Sequence, residues 1–190
     1  MFSRTAQYGV VIFDYDSTIA EVPVNWLQAR KDYRDYLNFY FPSLCLPNDS
    51  RVDEMEALAL RHAPDAKEVV FRFRFDLEQR LDGGHKPLLV TCAFIRRLNA
   101  AGKHRLFILS NNLHRTVQAG LNQLVFTDTF EGILGVDDVE IPKPAPRGFS
   151  MLKEMYGISV EDSIFVGDND RTDGGFCRTL GIPFINIKEK

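Results

Sequence analysis

The stretch Tyr8 to Thr18, YGVVIFDYDST, decides the fold. Its first part, Tyr8 to Phe13, is a continuous apolar run, the pattern of a strand buried on both faces and hence of a parallel sheet. Its second part sets two carboxylates, Asp14 and Asp16, directly after that strand. Side chains at i and i+2 of an extended segment point the same way, and open α/β sheets bind ligands beyond the carboxyl ends of their strands. Two like charges held together are costly without a cation or a proton. The pair therefore suggests a metal and a proton-transfer role. The plainer alternative is a solvated turn, where Asp, Ser and Thr are common.

Outward from this stretch the same pattern returns. Arg105 to Leu109, Ser163 to Val166 and Phe184 to Ile187 read as further buried strands, with helical stripes between them. Leu88, Cys92, Ile95 and Leu98 share one face, stopped by Gly102; Phe149, Leu152 and Tyr156 share another, stopped by Gly157. Strands alternating with helices predict an α/β sheet with right-handed crossovers.

From Glu21 to Gly84 the rhythm breaks, and no buried-type strand occurs. Trp26, Tyr33, Leu37 and Tyr40 share a helical face, as do Met55, Leu58 and His62. Pro64 opens a third expected helix carrying Ala66, Val69, Val70, Phe73, Leu77 and Leu81, although residues 69–77 also alternate as a strand would. Ala20 to Val24 and Asp82 to Pro87 read as two linkers. The expected organisation is a core of residues 1–20 and 85–190 with a mainly helical insert, 21–84.

Two further strands also end in polar clusters. Ser110-Asn111-Asn112 precedes a helix, where a hydroxyl and free backbone N–H groups form an anion site or an ordinary helix cap. Gly167-Asp168-Asn169-Asp170-Arg171-Thr172-Asp173-Gly174 invites a calcium-loop reading. That fails, because the sixth position from Asp168 is Asp173 where glycine is required and the twelfth is Thr179 where glutamate is required. What remains is an acidic cluster suited to Mg²⁺. Lys143 sits between two prolines, a stiff mount for an ammonium that meets a phosphate, or simply a loop lysine. Nucleotide-loop, nucleophile-elbow and zinc-protease motifs are absent, and His114 reads as a surface helix residue.

Composition narrows the classes. A formal net charge of −3 over 190 residues argues against a whole-surface nucleic-acid or anionic-membrane binder. No apolar run reaches the roughly 18 residues of a membrane span. Met1 to Tyr8 carries no secretion signal, and Cys45, Cys92 and Cys177 make no disulfide framework, so a cytoplasmic setting is expected.

Taken together, Asp14-x-Asp16-x-Thr18, Ser110-Asn111, Lys143 and Gly167-Asp168 with Asp173 resemble the haloacid dehalogenase superfamily over nearly the whole chain. The stretch from Phe130 through Val139 to Pro146 also looks like the segment leading to that family's lysine. One position departs: after the second aspartate the family often has glycine, and this chain has Ser17. The resemblance implies a doubly wound, Rossmann-like core with an inserted helical cap, and a Mg²⁺-dependent phosphatase working through an aspartyl-phosphate. It makes Asp14 the nucleophile and Asp16 the general acid/base. Asp14, the Asp16 carbonyl and Asp168 become metal ligands. Ser110, Asn111 and Lys143 become phosphate-binding residues, and Thr18 and Asp173 supporting ones. It also implies a small phosphorylated metabolite as substrate; Arg30, Arg34, Arg72 and Arg74 of the insert could reach it, with surface salt bridges the more ordinary fate of each, and a monomer or homodimer is expected. A sugar phosphomutase of the same superfamily is the alternative. A receiver-type signalling domain fits less well, since its phosphorylated aspartate comes later than the first motif.

Overall fold

A computed structural model describes residues 2–79, 84–139 and 141–189. In chain order the elements begin with α1 (Phe2–Thr5), β1 (Val10–Phe13), β2 (Ala20–Glu21), α2 (Trp26–Tyr40), α3 (Val52–His62), a 3₁₀ turn at Pro64–Ala66 and α4 (Lys67–Gln79). Next come β3 (Lys86–Pro87), α5 (Leu89–Ala101), β4 (Arg105–Leu109), α6 (His114–Gln123), β5 (Gly132–Leu134), α7 (Val136–Val139) and α8 (Arg147–Tyr156). The chain finishes with β6 (Ser163–Gly167), a π-helical turn at Asp170–Gly174, α9 (Gly175–Leu180) and β7 (Phe184–Asn186).

Five strands form one parallel sheet in the order β5-β4-β1-β6-β7, which is the expected α/β Rossmann-like class. Every β1 residue is buried, which is why its sequence shows no alternation. Phe13 is level with Ile108 of β4 and Val166 of β6, so three strands end together. β1 lies where the winding reverses, between β4 on one side and β6 on the other. That is the switch point at which open α/β sheets bind ligands. Beneath it, Ile12, Phe107, Phe149, Leu152, Phe165 and Phe176 pack as one core. Cys92, Ile95 and Leu98 are buried on α5, and Gly102 and Gly157 end α5 and α8 with φ of 61° and 66°. β5 was not anticipated; three residues beginning with glycine carry no strand pattern.

The chain divides into two compact units, Met1–Val22 with Gly84–Lys190, and Pro23–Gly83. The supposed linkers are partly ordered within the first unit, because Ala20 and Glu21 pair antiparallel with Pro87 and Lys86. Asp82 and Gly83 of the second linker, and Leu81, lie outside the described residues.

The second unit is helical. Residues 69–77 are helix, and Tyr33, Leu37, Val52, Met55, Ala59 and Val70 form its core. The Tyr33 and Tyr36 hydroxyls donate to the Val70 and Val69 carbonyls at 3.0 and 2.7 Å, tying α2 to α4. α3 buries Val52, Met55, Glu56 and Ala59, while His62 is exposed, so its inner face is rotated from the expected stripe. An ion cluster lies on that inner face. Buried Arg74 of α4 grips Glu56 with two hydrogen bonds of 2.9 Å and reaches Glu78 at 3.2 Å, beside the Trp26 ring. Burial alone would lower the Arg74 pKa, but the two glutamates outweigh it and raise it. Burial lifts Glu56 above the usual carboxylate range, and Arg74 offsets only part of that rise. Arg74 is thus committed to structure. Arg34 is too, since it donates to the carbonyls of Leu46, Pro47 and Asn48. Arg74 therefore makes ion pairs, its more ordinary expected fate, though buried and not on the surface, whereas Arg30 is partly exposed and Arg72 exposed. Among the described residues no helix is long and apolar enough to cross a membrane.

One local feature predicts a stability change. Val125 follows the last turn of α6 with φ of 58° and is 84% exposed. A β-branched residue in the left-handed region is strained, and glycine normally fills this place. Val125→Gly should stabilise the fold by about 1 kcal/mol, after the unfolded-state entropy of glycine is discounted. Thermal melting checks this, and a lower melting temperature would show that the valine is held by packing.

Candidate active site

Asp14 leaves β1 at the level where β4 and β6 also end, its backbone N–H still bonded to the Val166 carbonyl at 2.9 Å. Its two oxygens are engaged separately. Thr18 donates to Oδ2 at 3.1 Å, and Lys143 Nζ donates to Oδ1 at 2.9 Å. The same ammonium donates to Asp173 Oδ1 at 2.7 Å, so a buried lysine stands between two carboxylates. Burial would lower the Lys143 pKa, but Asp14 and Asp173 outweigh it and hold it above the ordinary lysine range. Burial raises Asp173, Lys143 pulls it back, and Asp14 adds to the rise. Asp168 is likewise raised by burial and by Asp14, with Lys188 opposing.

The loop after β1 explains the departure from glycine. Ser17 has φ of 58°, the left-handed conformation that glycine adopts freely. Serine holds the same turn, with its N–H on the Ala20 carbonyl at 2.8 Å and the Tyr15 carbonyl receiving the N–H groups of Thr18, Ile19 and Ala20. Asp16 Oδ1 accepts from the Val22 N–H at 2.9 Å, so the second carboxylate is anchored where the chain leaves the loop. Between the aspartates, Tyr15 turns inward, and its hydroxyl lies 2.7 Å from His85 Nδ1. Burial, then Asp16 and Cys92, raise the Tyr15 pKa; burial lowers that of His85. Gly120 of α6 packs against this pair so closely that a β-carbon there would collide with Tyr15.

Ser110 and Asn111 end β4. The Ser110 hydroxyl donates to Asn112 Oδ1 and accepts the Asn112 N–H, both at 3.2 Å. Asn111 performs a task its sequence position did not reveal. Its side chain accepts the Lys143 N–H at 2.8 Å and donates to the Lys143 carbonyl at 3.0 Å, clasping the lysine loop to the serine loop. The Lys143–Pro144 bond is cis. After β6, Asn169 caps the π-helical turn through the Arg171 and Thr172 N–H groups, and its own N–H bonds Asp173 Oδ2 at 3.2 Å. His114 opens α6 on the β5 side, its Nδ1 2.7 Å from Asp138 Oδ2.

Of the expected residues, the structure therefore gathers Asp14, Thr18, Lys143, Asp168 and Asp173. Asp14, Asp168 and Asp173 each present an oxygen within 4.8 Å of the others. Carboxylate oxygens suit a hard dication such as Mg²⁺, and burial, with the added repulsion from Asp14, raises Asp168 and Asp173, a cost that a dication would relieve. The donor set fits the metal. Asp173 belongs to this cluster and also holds the Lys143 ammonium at 2.7 Å, a contact through which it orients that lysine.

Comparison with known proteins agrees with the geometry. A family model for haloacid dehalogenase-like hydrolases matches residues 8–181. The pyrophosphatase PpaX of Listeria innocua is 30% identical over 181 residues, covering 87% of this chain and 76% of that protein. An (S)-2-haloacid dehalogenase of Pseudomonas putida is 29% identical over 118 residues, covering 60% of this chain and about half (51%) of the dehalogenase. Among solved structures, YfnB of Bacillus subtilis bound to magnesium superposes with a TM-score of 0.61 at 18% identity, covering 97% of this chain and 91% of that one. A pyrophosphatase and a haloacid dehalogenase are thus both among the similar proteins. With its strand-end aspartates, its lysine clasp and a match over residues 8–181, the chain belongs to the haloacid dehalogenase-like hydrolase family.

Proposed function

We propose that the chain is a Mg²⁺-dependent phosphatase that hydrolyses a small phosphomonoester metabolite through an aspartyl-phosphate on Asp14. The observation that carries this reading is the convergence of Asp14, Asp168 and Asp173 on one point beside the Lys143 ammonium. Displacing halide from carbon needs neither a dication nor a general acid. Attack by a carboxylate on a dianionic phosphate calls for the dication because nucleophile and substrate repel, and for the acid because the leaving oxygen departs more readily once protonated. When bound by Asp14, Asp168 and the Asp16 carbonyl, Mg²⁺ supplies that charge neutralisation.

The chain's own residues do the rest. Asp14 Oδ2 is steadied by Thr18, so the carboxylate enters the reaction already oriented. Lys143 spans nucleophile and Asp173 and offers its charge to the phosphoryl oxygens, joined by the Ser110 hydroxyl and the Asn111 amide. Asp16 gives a proton to the leaving oxygen, then takes one from the water that cleaves the acyl phosphate.

Paired assays test the reading. Phosphate release from an aryl phosphate and from a panel of metabolite phosphates should require Mg²⁺ and stop with EDTA. Halide release from a 2-chloro carboxylic acid should be absent. Metal-independent halide release without phosphatase activity would overturn the proposal. Asp16→Asn should slow hydrolysis by roughly 10²–10⁴-fold, the range for general acid–base catalysis. The loss should be smaller for nitrophenyl phosphate, whose leaving group needs little protonation. Equal losses on both substrate kinds would assign Asp16 to holding the metal.

A further inference from the structure

Asp168 is held by a second lysine that the catalytic scheme does not use. Lys188 lies just beyond β7 and donates to Asp168 Oδ2. Its placement is built by the backbone. β7 pairs with β6 so that Asn186 is level with Gly167, and the Ile187 N–H bonds the Gly167 carbonyl at 2.9 Å. Asn186 Oδ1 then accepts the Lys188 N–H at 2.9 Å, turning the chain toward the residue that follows Gly167, which is Asp168. The carboxylate is 11% exposed and the lysine side chain 62% exposed, so one partner is fixed and the other is free to swing into water.

Charge shows what this lysine does. Asp14, Asp168 and Asp173 carry three negative charges, and buried Lys143 returns one. A divalent cation balances the remainder, so with metal bound Lys188 is surplus. We infer that Lys188 competes with the metal for Asp168: its ammonium and a bound cation draw on the same carboxylate, so the lysine opposes loading and sets the Mg²⁺ affinity of the site. This rests on the metal-dependent reading above and adds to it a residue that tunes the metal without binding it. Lys188 is a positioning residue for Asp168, not a catalytic one.

Calorimetric titration of the full chain with Mg²⁺ tests this directly, without reference to turnover. Lys188→Met should bind Mg²⁺ roughly tenfold more tightly than wild type, since an opposing charge near the ligand is removed. Lys188→Arg, which keeps the charge, should stay within about twofold of wild type, and the Met-to-wild-type gap should shrink as salt rises. Asp168→Asn in either background should abolish the binding heat, assigning it to this cluster. The rise in melting temperature on adding Mg²⁺ should be larger for Lys188→Met, a readout that tracks binding to the folded state. Unchanged or weaker Mg²⁺ binding by Lys188→Met, with normal binding by wild type, overturns the inference and leaves the metal reading standing. Absence of Mg²⁺ binding by wild type overturns both.

Discussion

Asp14→Asn leaves a folded protein without turnover. The substitution is nearly isosteric; Asn keeps one acceptor for Lys143 and can turn its NH₂ toward the Thr18 hydroxyl as a donor, so the strand end persists. What is lost is the nucleophile. The rate on an aryl phosphate should fall by on the order of 10⁴-fold or more, the scale on which removal of a covalent nucleophile is felt. Acid-quenched wild type incubated with substrate should yield a phosphorylated peptide containing Asp14, and the variant should not. Circular dichroism and melting must accompany the kinetics, because only a folded, inactive variant carries the argument. A variant that retains near-normal turnover would remove Asp14 from the chemistry.

Lys143→Met strikes stability as well as rate. The ammonium is 3% exposed, and its partners Asp14 and Asp173 are left facing each other when it goes. Removing one partner of a buried ion set costs about 3–5 kcal/mol, since uncompensated charge stays inside. In a chain of this size that lowers the melting temperature by on the order of 10 °C. Activity should fall by about 10³-fold, comparable to losing a principal transition-state donor. Mg²⁺ should restore part of the stability and none of the rate, because a dication can neutralise carboxylates but cannot stand where the ammonium meets the phosphoryl group. A melting temperature equal to that of wild type would show that water already reaches the carboxylates.

The core strands were legible because burial on both faces leaves an uninterrupted apolar run, as in Val10 to Phe13. The site was legible for a related reason. Parallel strands ending at one level bring distant carboxylates together, which is why acidic clusters after two strands pointed to one site, while the pairing of Asp14 with Asp168 came from the family resemblance. Short elements escaped: β5 begins with glycine, and β2 and β3 span two residues each and resemble linkers. Buried charge escaped too. Arg74, Glu56 and Glu78 look like surface residues until α3 and α4 turn them toward one another. Lys188 escaped because its partner is set by the pairing of β6 with β7, which no local pattern encodes.

Gly120 shows how one absent carbon narrows what the sequence can become. A β-carbon there would lie 2.5 Å from His85 Nδ1 and 2.7 Å from the Tyr15 ring carbon bearing the hydroxyl. Phenylalanine at position 15 would leave that ring carbon in place, so removing the hydroxyl alone makes no room. Tyr15 sits between the two aspartates, and α6 follows the Ser110–Asn112 loop, so this contact joins the Asp14–Asp16 loop to the helix after Asn112. Every single-step replacement of glycine adds at least a methyl group. Mutational paths through position 120 are therefore ordered: residue 15 must shrink and His85 must shift before a side chain is gained there, and the intermediate must survive the cavity that the tyrosine leaves.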